Sequence, residues 1–401
     1  MGSRIDWTEG VSALGFGCMR LPTKKTLFIK KIDEPEAIKI IRHAIDNGVN
    51  YVDTAYMYHG GKSEIVVGKA LKEGYREKVH LVTKLPVGKV KSANDVEKLC
   101  REQLAKLQTS CLDIYLFHGL NKNAFQKVKD LNLIDEMEKL KAAGLIKHYG
   151  FSFHDNLQVF KEIIDFHDWD ACQIQYNYLD QDSQATTQGL EYAASKGVAV
   201  IIMEPLKGGR LANPTQEVSE IFGKAEVKRS PVDWALQFVW NHPEVSVVLS
   251  GMSSFDQVKQ NLDYASNSGP NTLSDAELDT LKQVSEVFKK AIVIPCTACE
   301  YCMPCPSGVA IPRHFAILNR LADAPDKKMA LKFTRRMYKE LAATKDALND
   351  AKDNGMAKLC TKCKQCMEKC PQGIDIPAEL EKINSIIEGK GSIEKLYPRM
   401  E

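Results

Sequence analysis

Four polar residues at the ends of successive predicted strands could together carry out acid-base chemistry. Asp53 ends a β-rich run, and Tyr58 lies in the loop that follows it. Lys84 and His118 end the next two apolar runs. A tyrosine with a pKa of about 10 is a poor acid at neutral pH, but an adjacent ammonium group stabilises the phenolate and lowers that pKa. We therefore predict that Lys84 activates Tyr58 and that Asp53 holds Lys84 in place.

Each of these residues also has an ordinary structural explanation. Tyrosines in strand-to-helix loops usually pack against the fold, and Asp–Lys pairs are usually surface salt bridges of little energetic value. The joint placement of the four at neighbouring strand ends favours the catalytic interpretation. Two residues of the same loop are assigned structural roles, Tyr56 as a packing residue and His59 as a contact at the rim of the site.

A second set of reactive side chains lies after residue 295, where eight of the twelve cysteines form two tight groups. The run from Cys360 to Cys370 has the spacing Cys-x-x-Cys-x-x-Cys-x-x-x-Cys-Pro of bacterial ferredoxins. In two-cluster modules the fourth cysteine of such a run ligates the other cluster. We therefore predict two 4Fe-4S clusters, one bound by Cys296, Cys299, Cys302 and Cys370 and the other by Cys360, Cys363, Cys366 and Cys305.

The first cysteine group departs from this spacing, because only two residues separate Cys302 from Cys305. Zinc is the alternative occupant, although zinc sites favour paired two-cysteine knuckles over runs of four. Disulfides are disfavoured in a cytosolic chain. The segment Cys305-Pro-Ser-Gly-Val-Ala-Ile-Pro312 recurs as Cys370-Pro-Gln-Gly-Ile-Asp-Ile-Pro377, which indicates a duplicated cluster module.

Short apolar runs alternate with amphipathic segments along the part of the chain that carries the four polar residues. The predicted strands are Leu14–Met19, Val49–Asp53, Val79–Lys84, Leu112–His118, Ile146–Ser152, Ala171–Gln175, Val198–Met203 and Val245–Ser250. The predicted helices are Glu34–Asn47, Ser63–Glu73, Ala93–Leu107, Phe125–Ala143, Leu157–His167, Thr186–Ser195, Pro231–Asn241 and Phe255–Tyr264. Gly48, Gly144 and Gly197 follow three of these helices, where a left-handed C-terminal cap is expected.

This alternation predicts an α/β fold, a (β/α)8 TIM barrel in which all strand ends that carry polar residues open on one face. A doubly wound open sheet is the alternative. It would require a glycine-rich phosphate fingerprint after the first strand, and the segment from Leu14 to Met19 does not contain one.

The order and spacing of the polar residues resemble the catalytic set of the aldo/keto reductase family. The likeness extends from about residue 11 to about residue 265 and includes Asp53-Thr-Ala-x-x-Tyr58, Ser63-Glu64, Thr83-Lys84 and Asp113-x-Tyr-x-x-His118. It implies reduction of an aldehyde or ketone by hydride from a nicotinamide, NADPH or NADH. In that reaction Tyr58 would donate a proton to the developing alkoxide, while His118 hydrogen-bonds the same oxygen.

The same resemblance assigns residues that bind the nicotinamide cofactor. Ser152 and Gln173 match the positions that bind the carboxamide, and Met203 replaces the aromatic residue that often stacks on the ring. The positions that match the adenosine-phosphate site at a helix start are Gly251, Ser253, Gln257 and Asn261.

Two departures from the family pattern bear on these assignments. Gly251 and Gln257 stand where the family usually carries basic residues, which leaves the choice between NADP and NAD open. Phe153 and His154 stand where an asparagine is common.

The chain divides into two predicted domains joined by a helix. We predict a barrel over 1–270, a connecting helix over 271–292, a small, mainly helical ferredoxin-like domain over 293–378 and a tail over 379–401. The helical insertion at 313–356 resembles the α-helical variety of two-cluster ferredoxin modules. Thr272 or Ser274 would cap the connecting helix.

Composition disfavours several classes of protein. A charged fraction of 26% and a net charge of +2 give no polyelectrolyte signal, so we expect neither nucleic acid nor a membrane surface as a partner. The sequence contains no run of about eighteen apolar residues and no signal-peptide core near Met1. We therefore expect a cytoplasmic location.

The two predicted redox groups handle electrons differently, because hydride transfer moves two electrons and a 4Fe-4S cluster exchanges one. The sequence shows no flavin fingerprint that would connect them. The favoured hypothesis is a carbonyl reductase for a small-molecule substrate, with clusters that are structural, sense redox state or serve a ferredoxin or flavodoxin. The alternatives are an electron-transfer protein that reduces a barrel-bound substrate one electron at a time, and a sensor without turnover.

Overall fold

The computed structural model describes residues 6–26, 29–291, 293–322, 327–343 and 355–397. The predicted helical insertion at 313–356 and the predicted tail at 379–401 lie partly outside the described residues. The chain forms two compact units. The barrel unit comprises the described parts of Met1–Thr26, Lys30–Leu206 and Arg229–Leu278, and the cysteine unit comprises those of Leu27–Ile29, Lys207–Lys228 and Asp279–Glu401.

Eight parallel strands close into a barrel, as the sequence predicts. The strands of the described chain are β1 (Leu14–Gly17), β2 (Thr23–Thr26), β3 (Ile29–Ile32), β4 (Tyr51–Asp53), β5 (His80–Leu85), β6 (Leu112–Leu120), β7 (Ile146–Phe153), β8 (Ala171–Gln175), β9 (Ala199–Met203) and β10 (Val245–Ser250). The barrel order is β1-β10-β9-β8-β7-β6-β5-β4, and β4 pairs with β1 to close it. Strands β2 and β3 form a separate two-stranded sheet that the sequence did not predict.

Helices follow the barrel strands and continue into the cysteine unit. They are α1 (Glu34–Asp46), α2 (Ser63–Ala70), α3 (Asn94–Leu107), α4 (Lys122–Asp130), α5 (Leu133–Ala142), α6 (Leu157–Phe166), α7 (Thr186–Ser195), α8 (Gln216–Lys224), α9 (Pro231–Trp240), α10 (Phe255–Ser266), α11 (Asp275–Ala291), α12 (Ile311–Ala322), α13 (Lys327–Ala343), α14 (Gln365–Glu368), α15 (Ile376–Glu388) and α16 (Ile393–Leu396). None of these described helices is both long and apolar enough to cross a membrane.

Local chemistry explains where the helices begin and end. The left-handed caps predicted at Gly48, Gly144 and Gly197 are confirmed by φ angles of 97°, 69° and 77°. Ser274 caps α11, because its hydroxyl accepts from the Glu277 amide at 3.3 Å and the Glu277 carboxylate accepts from the Ser274 amide at 2.9 Å.

One predicted helix is wrong. The periodic pattern over Phe125–Ala143 contains two helices, α4 and α5. They are separated at Asn132, which has a left-handed φ of 49°, a conformation that asparagine tolerates better than most residues. Helix α8 was not predicted at all, since its short amphipathic segment lies inside a long loop after β9.

The barrel interior is filled by side chains that point inward from the strands. They are Tyr51, Val82, Ile114, Leu116, Ala171, Ala199, Ile201, Val247 and Leu249, and Trp7, which lies in a helical turn before β1, packs with them. Gly150 allows β7 to lie close to β8, because a Cβ there would be only 1.9 Å from the carbonyl oxygen of Ala171. Since the strands are parallel, their C-terminal ends all open at one end, which we call the barrel mouth.

The cysteine unit has a hydrophobic core of its own. Its largest buried contributions come from α12 and α15, with Phe315, Leu318 and Ile383 among the buried side chains. Asn319 fixes the segment before the first cysteine group, since its side chain donates to the Ile294 carbonyl at 2.8 Å and accepts from the Ile294 amide at 3.0 Å. A core therefore surrounds the cysteines independently of the barrel core.

Candidate active site

The centre of the barrel mouth is a buried ion pair between β4 and β5. Lys84 Nζ donates to both carboxylate oxygens of Asp53, at 2.7 and 2.6 Å, and to the carbonyl oxygen of Thr54 at 2.9 Å. Lys84 is 1% exposed and Asp53 is 2% exposed. The ammonium nitrogen also lies 3.5 Å from the hydroxyl oxygen of Tyr58, which is 8% exposed. Three of the four predicted catalytic residues are therefore in direct contact.

His118 completes the predicted group of four from the next strand. Its ring lies edge-on to Tyr58, with ring centroids 6.2 Å apart and an interplanar angle of 83°. Strand β6 continues past it to Leu120, and the pairing of β6 with β7 shifts register between Phe117 and Leu120. Such irregularities commonly redirect a side chain next to a functional site.

The electrostatic environment gives these groups defined charge states. Burial raises the pKa of the Asp53 carboxyl, and the attraction of Lys84 opposes that rise. Burial and the positive charge of Lys84 lower the pKa of His118 to about 3. The His118 ring is therefore neutral at neutral pH.

A hydrogen-bond network behind β5 supports Lys84 from its backbone side. The Gln103 amide donates to the carbonyl oxygen of Lys84 and to the Thr83 hydroxyl, both at 3.1 Å. Tyr115 donates to Gln103 Oε1 at 2.7 Å, and the Thr83 hydroxyl donates to the buried Glu64 carboxylate at 2.8 Å. Sequence reasoning missed Gln103. Its position on the apolar face of α3 was the available signal, because a polar side chain buried there needs hydrogen-bond partners.

The other two residues of the first loop have structural contacts. The Tyr56 hydroxyl donates to Glu102 at 3.1 Å, an exposed contact away from Lys84. The His59 ring accepts from the backbone amide of Leu21 at 3.1 Å and adopts a left-handed φ of 52°. Both contacts agree with the structural roles expected for these residues.

The residues matched to the carboxamide site lie on three neighbouring strands. Ser152 on β7 accepts a hydrogen bond from the Gly119 amide at 2.8 Å. Gln173 on β8 is 2% exposed, and its Oε1 is buried without a hydrogen-bond partner among the described residues. Met203 is the last residue of β9. A buried acceptor without a donor is a site that a ligand N–H group can satisfy.

The residues matched to the adenosine-phosphate site surround the start of α10. Asn261 donates to Ser250 at 2.9 Å, and Gln257 accepts from the Ser253 amide at 2.7 Å. The Ser253 hydroxyl donates to the carbonyl oxygen of Arg20 at 2.7 Å. A Cβ at Gly251 would lie 3.3 Å from the side-chain stem of Arg20.

The aliphatic stem of Arg20 therefore packs against Gly251. Sequence reasoning missed Arg20, because it lies just after β1, far from Gly251 in the sequence, and no local motif marks it.

The eight clustered cysteines line two small cavities. Cys296, Cys299, Cys302 and Cys370 line the first cavity, and Cys305, Cys360, Cys363 and Cys366 line the second. The shortened segment between Cys302 and Cys305 contains a cis peptide bond before Pro304. In the part of the chain that the structure describes, no three His, Cys, Asp or Glu side chains converge closely enough to hold a single metal ion.

Comparison with known families gives two matches. The aldo/keto reductase family matches residues 13–286, and a 4Fe-4S dicluster domain matches residues 295–375. An uncharacterised oxidoreductase of Bacillus subtilis (strain 168) is 25% identical over 304 residues, which cover 68% of this chain and 92% of the relative. The L-galactose dehydrogenase of Arabidopsis thaliana is 28% identical over 272 residues, covering 63% of this chain and 83% of the relative.

Solved structures resemble the barrel. The holo form of an aldo-keto reductase from Bacillus halodurans has a TM-score of 0.57 and 29% identity, and the match covers 68% of this chain and 92% of that one. An aldo-keto reductase from Klebsiella pneumoniae in complex with NADPH has a TM-score of 0.58 and 26% identity, with coverage of 69% and 91%.

Replacing Lys84 with methionine should destabilise the barrel, and more strongly as the pH rises. Without the ammonium, the already raised pKa of Asp53 rises further, so the folded variant binds a proton that the unfolded chain releases above a pKa of about 3.9. Stability is retained below that pKa and falls by up to about 1.4 kcal/mol per pH unit until the pH passes the folded-state pKa. All four tryptophans lie in the barrel unit, so urea unfolding followed by their fluorescence measures the effect.

The control is the double variant Lys84→Met with Asp53→Asn, which has no carboxyl group to titrate at this site. Its free energy of unfolding should lose the additional pH dependence. An equal pH dependence in the single and double variants would show that Asp53 is not the responsible group.

Proposed function

The chain belongs to the aldo/keto reductase family, and from this premise we propose that it reduces an aldehyde or ketone with hydride from NADPH and a proton from Tyr58. It is an oxidoreductase whose reductase domain is followed by a 4Fe-4S dicluster domain. One observation carries the proposal: the Lys84 ammonium is paired with Asp53 and lies 3.5 Å from the Tyr58 hydroxyl.

The proton passes from the Tyr58 hydroxyl to the substrate oxygen as that oxygen gains negative charge. The phenolate that remains is stabilised by the adjacent Lys84 ammonium. Asp53 and the carbonyl oxygen of Thr54 keep Lys84 from turning away, because they accept its hydrogen bonds. The buried pair thus supplies a fixed positive charge where a negative charge develops.

His118 orients the substrate carbonyl. Because its pKa is about 3, its ring is neutral and hydrogen-bonds the substrate oxygen without competing with Tyr58 as an acid. Burial of the ring keeps that hydrogen bond in a poorly solvated region, where it is stronger than in water.

A nicotinamide supplies the hydride when it is bound. The unpaired Oε1 of Gln173 fits a carboxamide N–H group. Ser152, the penultimate residue of β7, and Met203, the last residue of β9, lie on the strands on either side. Arg20 next to Gly251 supplies positive charge where the sequence lacks the family's basic residues. This charge favours NADPH over NADH, and the NADPH-bound relative from Klebsiella pneumoniae supports the same choice.

The clusters are two 4Fe-4S groups, each held by the four cysteines of one cavity. Four thiols that line one cavity suit a polynuclear cluster, whereas zinc requires four ligands that converge at about 2.3 Å from one point. Cys363 is exposed, and four lysines beside the second cysteine group, Lys358, Lys362, Lys364 and Lys369, are exposed as well. This surface suits single-electron exchange with an acidic carrier such as a ferredoxin or flavodoxin.

Tyr58→Phe should lower kcat/KM for NADPH-dependent aldehyde reduction by about a hundredfold to ten-thousandfold, because the variant has no proton to donate. The measurement is NADPH oxidation with an aldehyde in anaerobic holoprotein. Tyr56→Phe is the matched control, since it removes a hydroxyl two residues away that donates to the exposed carboxylate of Glu102. Full turnover in Tyr58→Phe would refute the assignment.

Arg20→Met should raise the KM for NADPH by about tenfold and leave the KM for NADH nearly unchanged, because only NADPH carries the additional phosphate. Lys24→Met is the control, since Lys24 is an exposed basic residue paired with Asp33. Equal effects on both cofactors in Arg20→Met would argue against a phosphate contact.

Cys370→Ser should remove the cluster held by the first cysteine group and leave the second intact. Alkylation of the anaerobic protein followed by mass spectrometry should then label Cys296, Cys299 and Cys302, while Cys360, Cys363 and Cys366 stay protected. Labelling of the second set would show instead that Cys370 ligates the cluster of its own sequence run.

A further inference from the structure

A chain of side-chain hydrogen bonds at the barrel mouth ends on His154, which departs from the family pattern. His154 follows β7 directly, and its backbone amide donates to the Leu120 carbonyl at 2.9 Å. Its ring atom Cδ2 lies 4.0 Å from where a Cβ on Gly119 would be. Its ring also acts electrostatically on His118, the neighbour of Gly119. The Cδ2–Nε2 edge of the His154 ring therefore faces the strand end that carries a catalytic residue.

The direction of this hydrogen-bond chain is set by backbone amides, which cannot reverse. The amides of Leu179 and Asp180 donate to Asn177 Oδ1 at 3.0 and 3.1 Å. Asn177 therefore presents its NH2 group to Asp180 Oδ2, at 2.8 Å, and Asp180 Oδ2 accepts. The same carboxylate oxygen must accept from Gln175 Nε2, also at 2.8 Å.

The chain continues in the same direction to the imidazole. Gln175 donates with its NH2 group, so its Oε1 accepts from Gln184 Nε2 at 3.2 Å. Gln184 Oε1 must then accept from Nδ1 of His154, at 3.1 Å. The proton of the His154 ring is therefore on Nδ1.

The ring is also neutral, because burial lowers the pKa of His154 to about 4 against the opposing hydrogen bond to Gln184. A neutral imidazole with its proton on Nδ1 has a lone pair on Nε2. Among the described residues, Nε2 of His154 makes no hydrogen bond. It is a hydrogen-bond acceptor at the barrel mouth, close to His118.

We propose that His154 Nε2 accepts a hydrogen bond from a hydroxyl group of the substrate, so that the preferred substrates are hydroxylated aldehydes and ketones. This inference rests on the proposed carbonyl reduction and specifies its substrate class. Gln184 is a positioning residue, since it holds the His154 ring through Nδ1 and does not face the substrate itself. A carboxylate-bearing substrate would meet a lone pair here and is disfavoured.

The test compares three aldehydes of similar size with NADPH in anaerobic holoprotein: 2-hydroxypropanal, propanal and 2-methoxypropanal. The first can donate a hydrogen bond, the second has no polar group at that carbon, and the third can only accept. We expect kcat/KM to be about tenfold higher for 2-hydroxypropanal than for either analogue, which corresponds to one hydrogen bond. Comparable values for 2-hydroxypropanal and 2-methoxypropanal would overturn the inference.

His154→Phe keeps an aromatic ring and removes the acceptor, so the preference for 2-hydroxypropanal should fall to about one. His80→Phe is the matched control, because His80 begins β5 at the opposite end of the barrel, and it should retain the preference. A preference that persists in His154→Phe would overturn the inference. If the wild-type protein reduces none of the three aldehydes, the proposed carbonyl reduction fails, and the inference fails with it.

A second measurement does not depend on turnover. In protein labelled with 15N-histidine, His154 should show the nitrogen shifts of a neutral ring with its proton on Nδ1 at neutral pH, assigned by its loss in His154→Phe. Gln184→Leu removes the acceptor for Nδ1 and should shift that signal towards a mixture of tautomers. A protonated ring, or a proton on Nε2, in the wild-type protein would overturn the inference.

Discussion

The barrel mouth depends on the cost of burying an ammonium ion. An isolated charge in a protein interior is unstable, so Lys84 is retained at 1% exposure only because Asp53 and the Thr54 carbonyl surround it with acceptors. This requirement fixes the ends of β4 and β5 relative to each other. It also sets the electrostatics of the neighbours, since the same charge lies beside the Tyr58 hydroxyl and lowers the pKa of His118. One ion pair thus positions two strand ends and contributes to the charge states of the groups beside it.

The sequence was sufficient to predict the barrel and the four residues at its mouth. Strand–helix alternation is a periodic signal, and residues that end successive parallel strands must meet on one face. The break at Asn132 escaped prediction because it depends on one backbone conformation, not on the hydrophobic period. The contacts of Gln103, Arg20 and His154 also escaped, because each joins positions distant in the chain and has no periodic pattern. A sequence identifies residue types at strand ends more readily than the partners of their side chains.

The two redox modules impose different physical requirements on the same chain. The barrel offers an acid-base site suited to a reaction in which two electrons move as hydride. The cysteine unit offers two thiol-lined cavities suited to one-electron chemistry. Each has its own hydrophobic core. The chain therefore carries two separate sets of redox-active residues, one in each unit.

The composition of the first cavity has a consequence for how the protein is made. Three of its cysteines lie before α12, whereas Cys370 lies after α13. During synthesis the ribosome must therefore complete both helices before the fourth thiol exists. Iron and sulfide delivered earlier would find only three of the four ligands, so assembly of this cluster has to wait for the synthesis of Cys370. A chain that terminates just before Cys370 would lack one thiol of the first set and retain all four thiols of the second.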